Sequence, residues 1–572
     1  MKYLIKYMKP YFPRMALGLS IKFIGTIVEL VLPWVLSYLI DTVAPLNDVS
    51  LVVKWGLVMV LCAIIFVIAN VTANRMASSV ATKCTEKIRY DLFHKISYLS
   101  SAQVDAFGIP SLEARLTTDT YNVNNFISRI QRIGIRAPIL LIGGIIVTLM
   151  LEPVLASILI CILPLLGLLV YNVSKKGIPL YTHVQEGVDD MIRVVRENIT
   201  GVRVIKALSK TLDEQKRFEK VNGEVAKRET TAGLTMSLTN PMMNLFLNVG
   251  LTIVIIVGAY RVNAGLTQTG QIIAFLSYFT TILMSMMAIT RMFMLVSKGT
   301  ASANRLAEVF DTPVDLEVQP DDFVETEHYV EFKDVCFGYE KTKDYHIKNI
   351  SFALKKGQSL GIIGATGCGK STIIQLLMRM YDNDEGEIRI GGRKVSSIPS
   401  EELHQMFGVV FQNDVLFADT IKENISFGRN LSDEEILEAS KHAQAYEFIS
   451  NLPTQFDHML TSKGTNLSGG QRQRVLLSRA LAVNPDILIL DDSSSALDYK
   501  TDAKLRQALK DYYADTTSII IAQRVSSILH CDLILVMDEG KCIGMGTHEH
   551  LLETCKEYKE ISDSQMGGMM DG

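Results

Sequence analysis

The chain has 572 residues, with 57 Lys and Arg against 61 Asp and Glu, a formal net charge of −4 at pH 7. That length exceeds a single domain, and a near-neutral balance without a basic stripe gives no sign of a nucleic-acid partner. Eight cysteines stand scattered, with no CxxC pair and no His cluster at metal-ligand spacing, so most of them read as buried, reduced thiols.

In chain order, residues 1–14 alternate Leu4, Ile5 and Met8 with Lys2, Lys6 and Lys9. Lys and Pro break this stretch too often for a signal peptide, and it reads as an amphipathic helix at a membrane surface. A membrane-spanning helix needs about 20 mostly apolar residues. Six segments meet that: 15–45, 51–79, 133–152, 153–174, 239–263 and 269–297. The first carries Lys22, Glu29 and Asp41, and its length is the least secure. The third and fourth are separated only by "LEP" and the last pair by "RVNAGLTQTGQ", both tight turns. The polar stretches after the second and fourth spans keep apolar residues at helical spacing, so they predict helices continuing into water. Their Lys and Arg content puts them, and both termini, on the cytoplasmic side. Residues 301–327 form a polar linker. "HYVEFKDVCFGY" then opens, as an alternating strand, a soluble α/β domain over 328–572.

The strand-like "SLGIIG" runs into Gly364, Ala365, Thr366, Gly367, Cys368, Gly369, Lys370, Ser371 and Thr372, followed by the helical "STIIQLLMRMY". This GxxxxGK[ST] pattern between a strand and a helix is a phosphate-binding loop. Its glycines let backbone N–H groups converge on phosphates at a helix N-terminus. Lys370 is placed at the β- and γ-phosphates of ATP and Ser371 on Mg2+. Downstream, the apolar "DILIL" delivers Asp491, the candidate Mg2+-side acid.

Between them stand Leu467, Ser468, Gly469, Gly470 and Gln471, ahead of the helical "RQRVLLSRALA". Here the sequence resembles the ATP-binding cassette family, whose signature is LSGGQ. The resemblance implies an all-α six-helix transmembrane domain over 15–300, joined to an α/β P-loop NTPase cassette. It further implies that Tyr339 stacks on adenine and that Gln412 lies near Mg2+ and the attacking water. Ser495, Ala496, Leu497 and Asp498 match the D-loop. In this family two cassettes meet head to tail, each ATP held between one chain's phosphate loop and the other's signature, so a second half-transporter is implied as partner. The intracellular segments match the family's coupling regions, the first expected within Ser111–Tyr121 and the second around Leu208–Asp213.

The chain departs from the family at two catalytic positions. Where a Glu orients the attacking water it has Asp492, and where the switch segment carries His it has Gln523. A carboxylate displaced by roughly 1 Å can lose on the order of a hundredfold in rate. Both changes fall on one half-site, which implies a phosphate loop that binds ATP and hydrolyses it poorly beside an intact signature. That asymmetry resembles heterodimeric bacterial multidrug exporters, and implies export of a small amphipathic compound across a bacterial plasma membrane. A dedicated peptide or lipid exporter, a regulatory subunit and a slow homodimer are the alternatives. Lys22 and Glu29, seven residues apart on one helix face, and the Met-rich stretch around Met284, Met286 and Met287 are candidates for a substrate cavity or for packing.

Overall fold

In this computed structural model, the structure describes residues 2–566 except Asp322, 340–343, Ser494 and Ser495. Two compact units form: Met1–Ser97 with Pro110–Thr312, and Tyr98–Ile109 with Pro313–Gly572.

The first unit is helical throughout. It consists of α1 (Lys2–Met8), α2 (Phe12–Tyr38), α3 (Val49–Ser97), α5 (Ile109–Ala114), α6 (Thr120–Ile133), α7 (Arg136–Leu151), α8 (Pro153–Thr200), α9 (Val202–Ala207), α10 (Thr211–Ser237), α11 (Thr239–Asn263) and α12 (Thr269–Asp311); the remaining helix of this series, α4 (Ser101–Phe107), belongs to the second unit. Among the described residues, six stretches are long and apolar enough to cross a membrane. The polar continuations are helical, so α3 runs unbroken for 49 residues and α8 for 48. α3 shows why one helix serves two surroundings. Its first half turns Val53, Leu57, Leu61, Ile64 and Ile68 outward, while Ala69, Ala73, Ala77 and Ala81 bury a stripe of small residues. Small side chains let helix backbones approach closely. A Cβ on Gly25 of α2 would lie 2.9 Å from the Ala69 Cβ.

Two acids of this unit sit at helix ends. Asp41 accepts from the Gly270 N–H at 2.6 Å, placing a carboxylate on the N-terminus of α12, where the helix dipole favours it. Glu152, in the turn between α7 and α8, is 4% exposed and holds Arg261 at 2.7 Å and the Thr267 hydroxyl at 2.5 Å. α12 continues past residue 300 into the stretch expected as linker, because Ala303, Leu306 and Val309 keep a buried face at helical spacing. On that extension Arg305 pairs with Asp119, and Glu308 with Arg115 at 2.6 Å. α1 packs there too, with Tyr3 stacked on Phe310 at 5.4 Å and Leu4 buried.

In the second unit, β1 (Val330–Phe337) pairs antiparallel with β2 (Ile347–Leu354) and β4 (Glu385–Ile390), and β5 (Arg393–Lys394) follows at the edge. A six-stranded sheet has the order β10-β9-β3-β8-β7-β6, from β3 (Ser359–Gly364), β6 (Phe407–Val410), β7 (Ile487–Asp491), β8 (Thr517–Ile521), β9 (Leu533–Asp538) and β10 (Lys541–Gly546). All its pairings are parallel except that of β10. Every residue of β7 is buried, as its apolar run requires of an interior parallel strand.

The short helix that packs on the α/β unit lies upstream of the expected Ser111–Tyr121. It is α4, opened by a capping box between Ser100 and Gln103 and closed at Gly108 in a positive-φ conformation. The Asp105 carboxylate accepts from the Tyr381 hydroxyl at 2.5 Å, and the Gln103 amide donates to the Pro313 carbonyl at 2.9 Å. Within 111–121, Arg115 and Asp119 are buried in ion pairs of the helical unit. The second reversal is made by α9 and by Ser209 at φ 54°, with Leu208 and Leu212 exposed beside it.

The Gly25 approach makes α2 intolerant of bulk. Gly25→Leu is expected to destabilise the purified chain by about 1–3 kcal/mol, read as a lower melting temperature in detergent; unchanged melting would refute the close contact.

Candidate functional site

The C-terminal ends of β3 and β7 and the start of α13 (Lys370–Leu377) surround a cavity of about 280 Å3. Tyr339, Thr366, Gly367, Gly369, Lys370, Ser371, Thr372, Gln412, Asp491, Asp492 and Gln523 all line it. The sequence-predicted phosphate, metal and switch residues therefore converge on one place. The strand ends on Gly364, and Gly367 and Gly369 take positive φ of 85° and 99°. At Gly369 a side chain would also meet the Ile347 Cδ1 at 2.6 Å, so the loop can turn into α13 only on glycine. Cys368 is buried beneath the loop, and its N–H donates to the Ala365 carbonyl at 3.3 Å.

Lys370 folds back on this loop and donates to the Gly364 and Ala365 carbonyls at 2.9 and 2.8 Å. The Ser371 hydroxyl donates to Asp491 at 2.8 Å. Burial is the main cause holding the Asp491 carboxyl above its ordinary range; Asp492 adds to this, while Ser371 and Lys370 oppose it. No ammonium or guanidinium lies within ion-pair distance of Asp491 among the described residues. A buried carboxylate lacking a paired cation, beside a hydroxyl and the Gln412 amide, is an oxygen donor set that fits Mg2+.

Asp492 follows at φ 50°, a left-handed conformation that turns its side chain out of the strand direction. Its carboxyl is also raised, by burial first, against the pull of Arg524 and Lys370. The Gln523 amide donates to this carboxylate at 3.0 Å, so the two unusual positions meet directly. Two groups absent from the sequence reading also take part. The Gln565 side chain accepts from the Val525 N–H at 2.8 Å and donates to the Gln523 carbonyl at 2.9 Å, bracketing the switch from the last helix. His346 lines the cavity, its ring edge-on to Tyr339 at 5.2 Å. No short motif marks either residue; both act through chain-distant contacts. Tyr339 is held edge-on by Phe337 and Tyr381 as well, and its hydroxyl donates to Gln375 at 2.6 Å.

Leu467, Ser468, Gly469, Gly470 and Gln471 stand outside this cavity's wall. Ser468 caps the helix Gly469–Leu481 in a reciprocal box with Gln471, leaving that N-terminus intact. A Cβ on Gly470 would lie 3.1 Å from the Ala496 carbonyl, which brings the signature beside the D-loop. There Leu497 is buried, and Asp498 caps the helix Tyr499–Tyr512 through the Thr501 N–H at 3.0 Å; Ser495 lies outside the described residues.

Comparison with known proteins agrees with this architecture. The family description "ABC transporter transmembrane region" matches residues 15–286, and "ABC transporter" matches 347–495. The chain is 35% identical, over 98% of both chains, to the uncharacterized ABC transporter ATP-binding protein YfiB of Bacillus subtilis. The chain belongs to the ABC transporters. It is also 30% identical to the putative ABC transporter ATP-binding protein exp8 of Streptococcus pneumoniae, spanning 100% of this chain and 98% of that one. A solved bacterial Atm1-family ABC exporter with ATP bound shares the fold, with a TM-score of 0.81, 23% identity and coverage of 97% and 98%. This ABC transporter is thus a multi-pass membrane protein that binds ATP and couples its hydrolysis to transport.

A carboxyl raised above its unfolded value keeps its proton longer in the folded chain. Asp492 therefore favours the folded state least once pH is above its raised value, and its charge costs nothing below the ordinary 3.8. Asp492→Asn is expected to melt roughly 2–4 °C above the parent at pH 7.5, a gain that shrinks as pH falls toward 4. A gain independent of pH would contradict the burial of this group.

Proposed function

We propose that this chain is one half of an exporter whose two cassettes close head to tail around ATP, and that its own phosphate-loop site is the slower of two unequal sites. The reading is supported by one observation above others: within a single chain the signature Leu467–Gln471 stands outside the phosphate-loop cavity, while Gln523 is bonded to Asp492. A γ-phosphate bound here still lacks a second set of N–H donors. The Ser468–Gly470 helix start is a ready anion site for the nucleotide of another chain.

In this mechanism nucleotide draws Lys370 away from the Gly364 and Ala365 carbonyls onto the β- and γ-phosphates, while Tyr339 offers its ring to adenine. Ser371, Asp491 and Gln412 would hold Mg2+, which supplies charge neutralisation at the phosphate oxygens. Asp492 has to accept a proton from the attacking water. Its carboxylate is one methylene short of a glutamate's reach and is occupied by the Gln523 amide. A neutral amide at the switch also brings no positive charge to the γ-phosphate. Closure around ATP turns the cavity outward, and hydrolysis at the faster site on a partner carrying Glu and His resets it. Transport follows only where the cargo binds the two states differently. The cargo is a small amphipathic compound leaving the cytoplasm across a bacterial plasma membrane, with both termini cytoplasmic.

The test is a comparison of ATPase rates in lipid for the chain alone, the chain with its gene-neighbour partner, and Asp492→Glu/Gln523→His. The double variant alone is expected to gain on the order of a hundredfold over the parent alone. Brisk hydrolysis by the unaltered chain by itself would overturn the unequal-site reading.

A further inference from the structure

The helical unit encloses a cavity of about 630 Å3 whose wall carries four cations and one carboxylate: Lys22, Arg129, Arg132, Arg136 and Glu29. Glu29 is fully engaged by Arg136, which grips it in two hydrogen bonds of 2.6 and 3.1 Å. Lys22 is 4% exposed and donates only to neutral amides, the Asn70 and Asn74 oxygens at 2.5 and 3.1 Å. Arg129 and Arg132 have no carboxylate within ion-pair distance among the described residues. Four cations less one carboxylate leave an excess of three positive charges facing one space.

Ionisable groups at membrane depth turn toward protein or water-filled cavities, and are costly there unless an opposite charge faces them. At two buried acids of this unit the protein supplies the compensating group itself, the N-terminus of α12 at Gly270 for Asp41 and the Arg261 guanidinium for Glu152. In this cavity it does not. The rest of the wall is mixed, with hydroxyls at Thr280, Thr281 and Ser285 and apolar surface at Leu140 and Met284. Farther along α7, Gly143, Ile146 and Met150 with Trp34 of α2 line an apolar cavity of about 370 Å3. Gly143 is about 10 Å beyond Arg136 at the helical rise. A cationic end followed by an apolar end has the polarity of a molecule with an acidic head and a hydrocarbon body.

We infer that this cavity takes an anionic amphiphile, a phosphate or carboxylate head meeting Lys22, Arg129 and Arg132 and an apolar body lying along α7. This inference rests on the export reading and narrows its cargo: a cationic amphiphile would meet three like charges. The ligand's charge sign, not its size, sets selection.

The full-length chain in phosphatidylcholine nanodiscs, incubated with equal concentrations of dodecyl phosphate, dodecyl maltoside and dodecyltrimethylammonium, tests this by native mass spectrometry. Dodecyl phosphate is expected to occupy the wild type at least about tenfold more than the cation, a preference that salt weakens. Arg129→Gln/Arg132→Gln should bring that ratio close to unity, whereas Arg129→Lys/Arg132→Lys should keep it. Inorganic phosphate should displace the bound amphiphile poorly. Equal occupancy by anion and cation, a preference untouched by the Gln substitutions, or displacement by phosphate alone would each overturn the inference. Should the Gln variant fail to fold, the wild-type ratio and its salt dependence still decide. Uptake into inverted vesicles carrying this chain together with its gene-neighbour partner is read separately. Selective binding without uptake of any amphiphile would sink the export reading and leave this site standing. Preferential uptake of the cation would sink the site and leave export intact.

Discussion

The hydrogen bond from Ser371 to Asp491 joins two parts of the cassette that are far apart in sequence, the phosphate loop and the end of β7. β7 is buried along its whole length, so the charge it delivers arrives in a poorly solvated place. Burial makes that charge costly, and the cost is what readies the site for a cation. The same strand end forces Asp492 into a left-handed turn and toward Gln523. The positions of Asp491 and Asp492 in the cavity thus follow from one buried strand ending in two acids.

The membrane unit handles charge by a different rule. Where the helices meet tightly, each acid has a partner at a helix end: Asp41 at the start of α12, Glu152 between Arg261 and Thr267, Asp119 with Arg305. These pairs join elements that small residues alone, such as Gly25 against Ala69, only bring near. The cluster around Lys22 departs from these pairs, with four cations and one carboxylate on a single wall.

In the cassette, the switch is fastened from behind as well as in front. Gln565 grips the backbone on both sides of Arg524, while Gln523 reaches forward to Asp492. Displacement of Gln523 by nucleotide would therefore be felt at the last helix, Lys556–Met566, through two hydrogen bonds.

By itself the sequence determined what depends on near neighbours. Six apolar runs of spanning length, the glycines of the phosphate loop, and the Ser468–Gln471 cap are all local, since hydropathy, positive φ and capping involve residues a turn or so apart. Tertiary structure decided what depends on distant partners. The polar Ser111–Tyr121 segment was legible as helix but not as buried, because the acid and base that neutralise Arg115 and Asp119 sit on α12. The helix that docks on the α/β unit was instead α4, whose capping box is a short signal with no apolar run to announce it. Lys22 and Glu29 share a helix face in sequence yet find separate partners, Asn70 with Asn74 and Arg136, because side chains on neighbouring helices lie closer to each than they lie to one another.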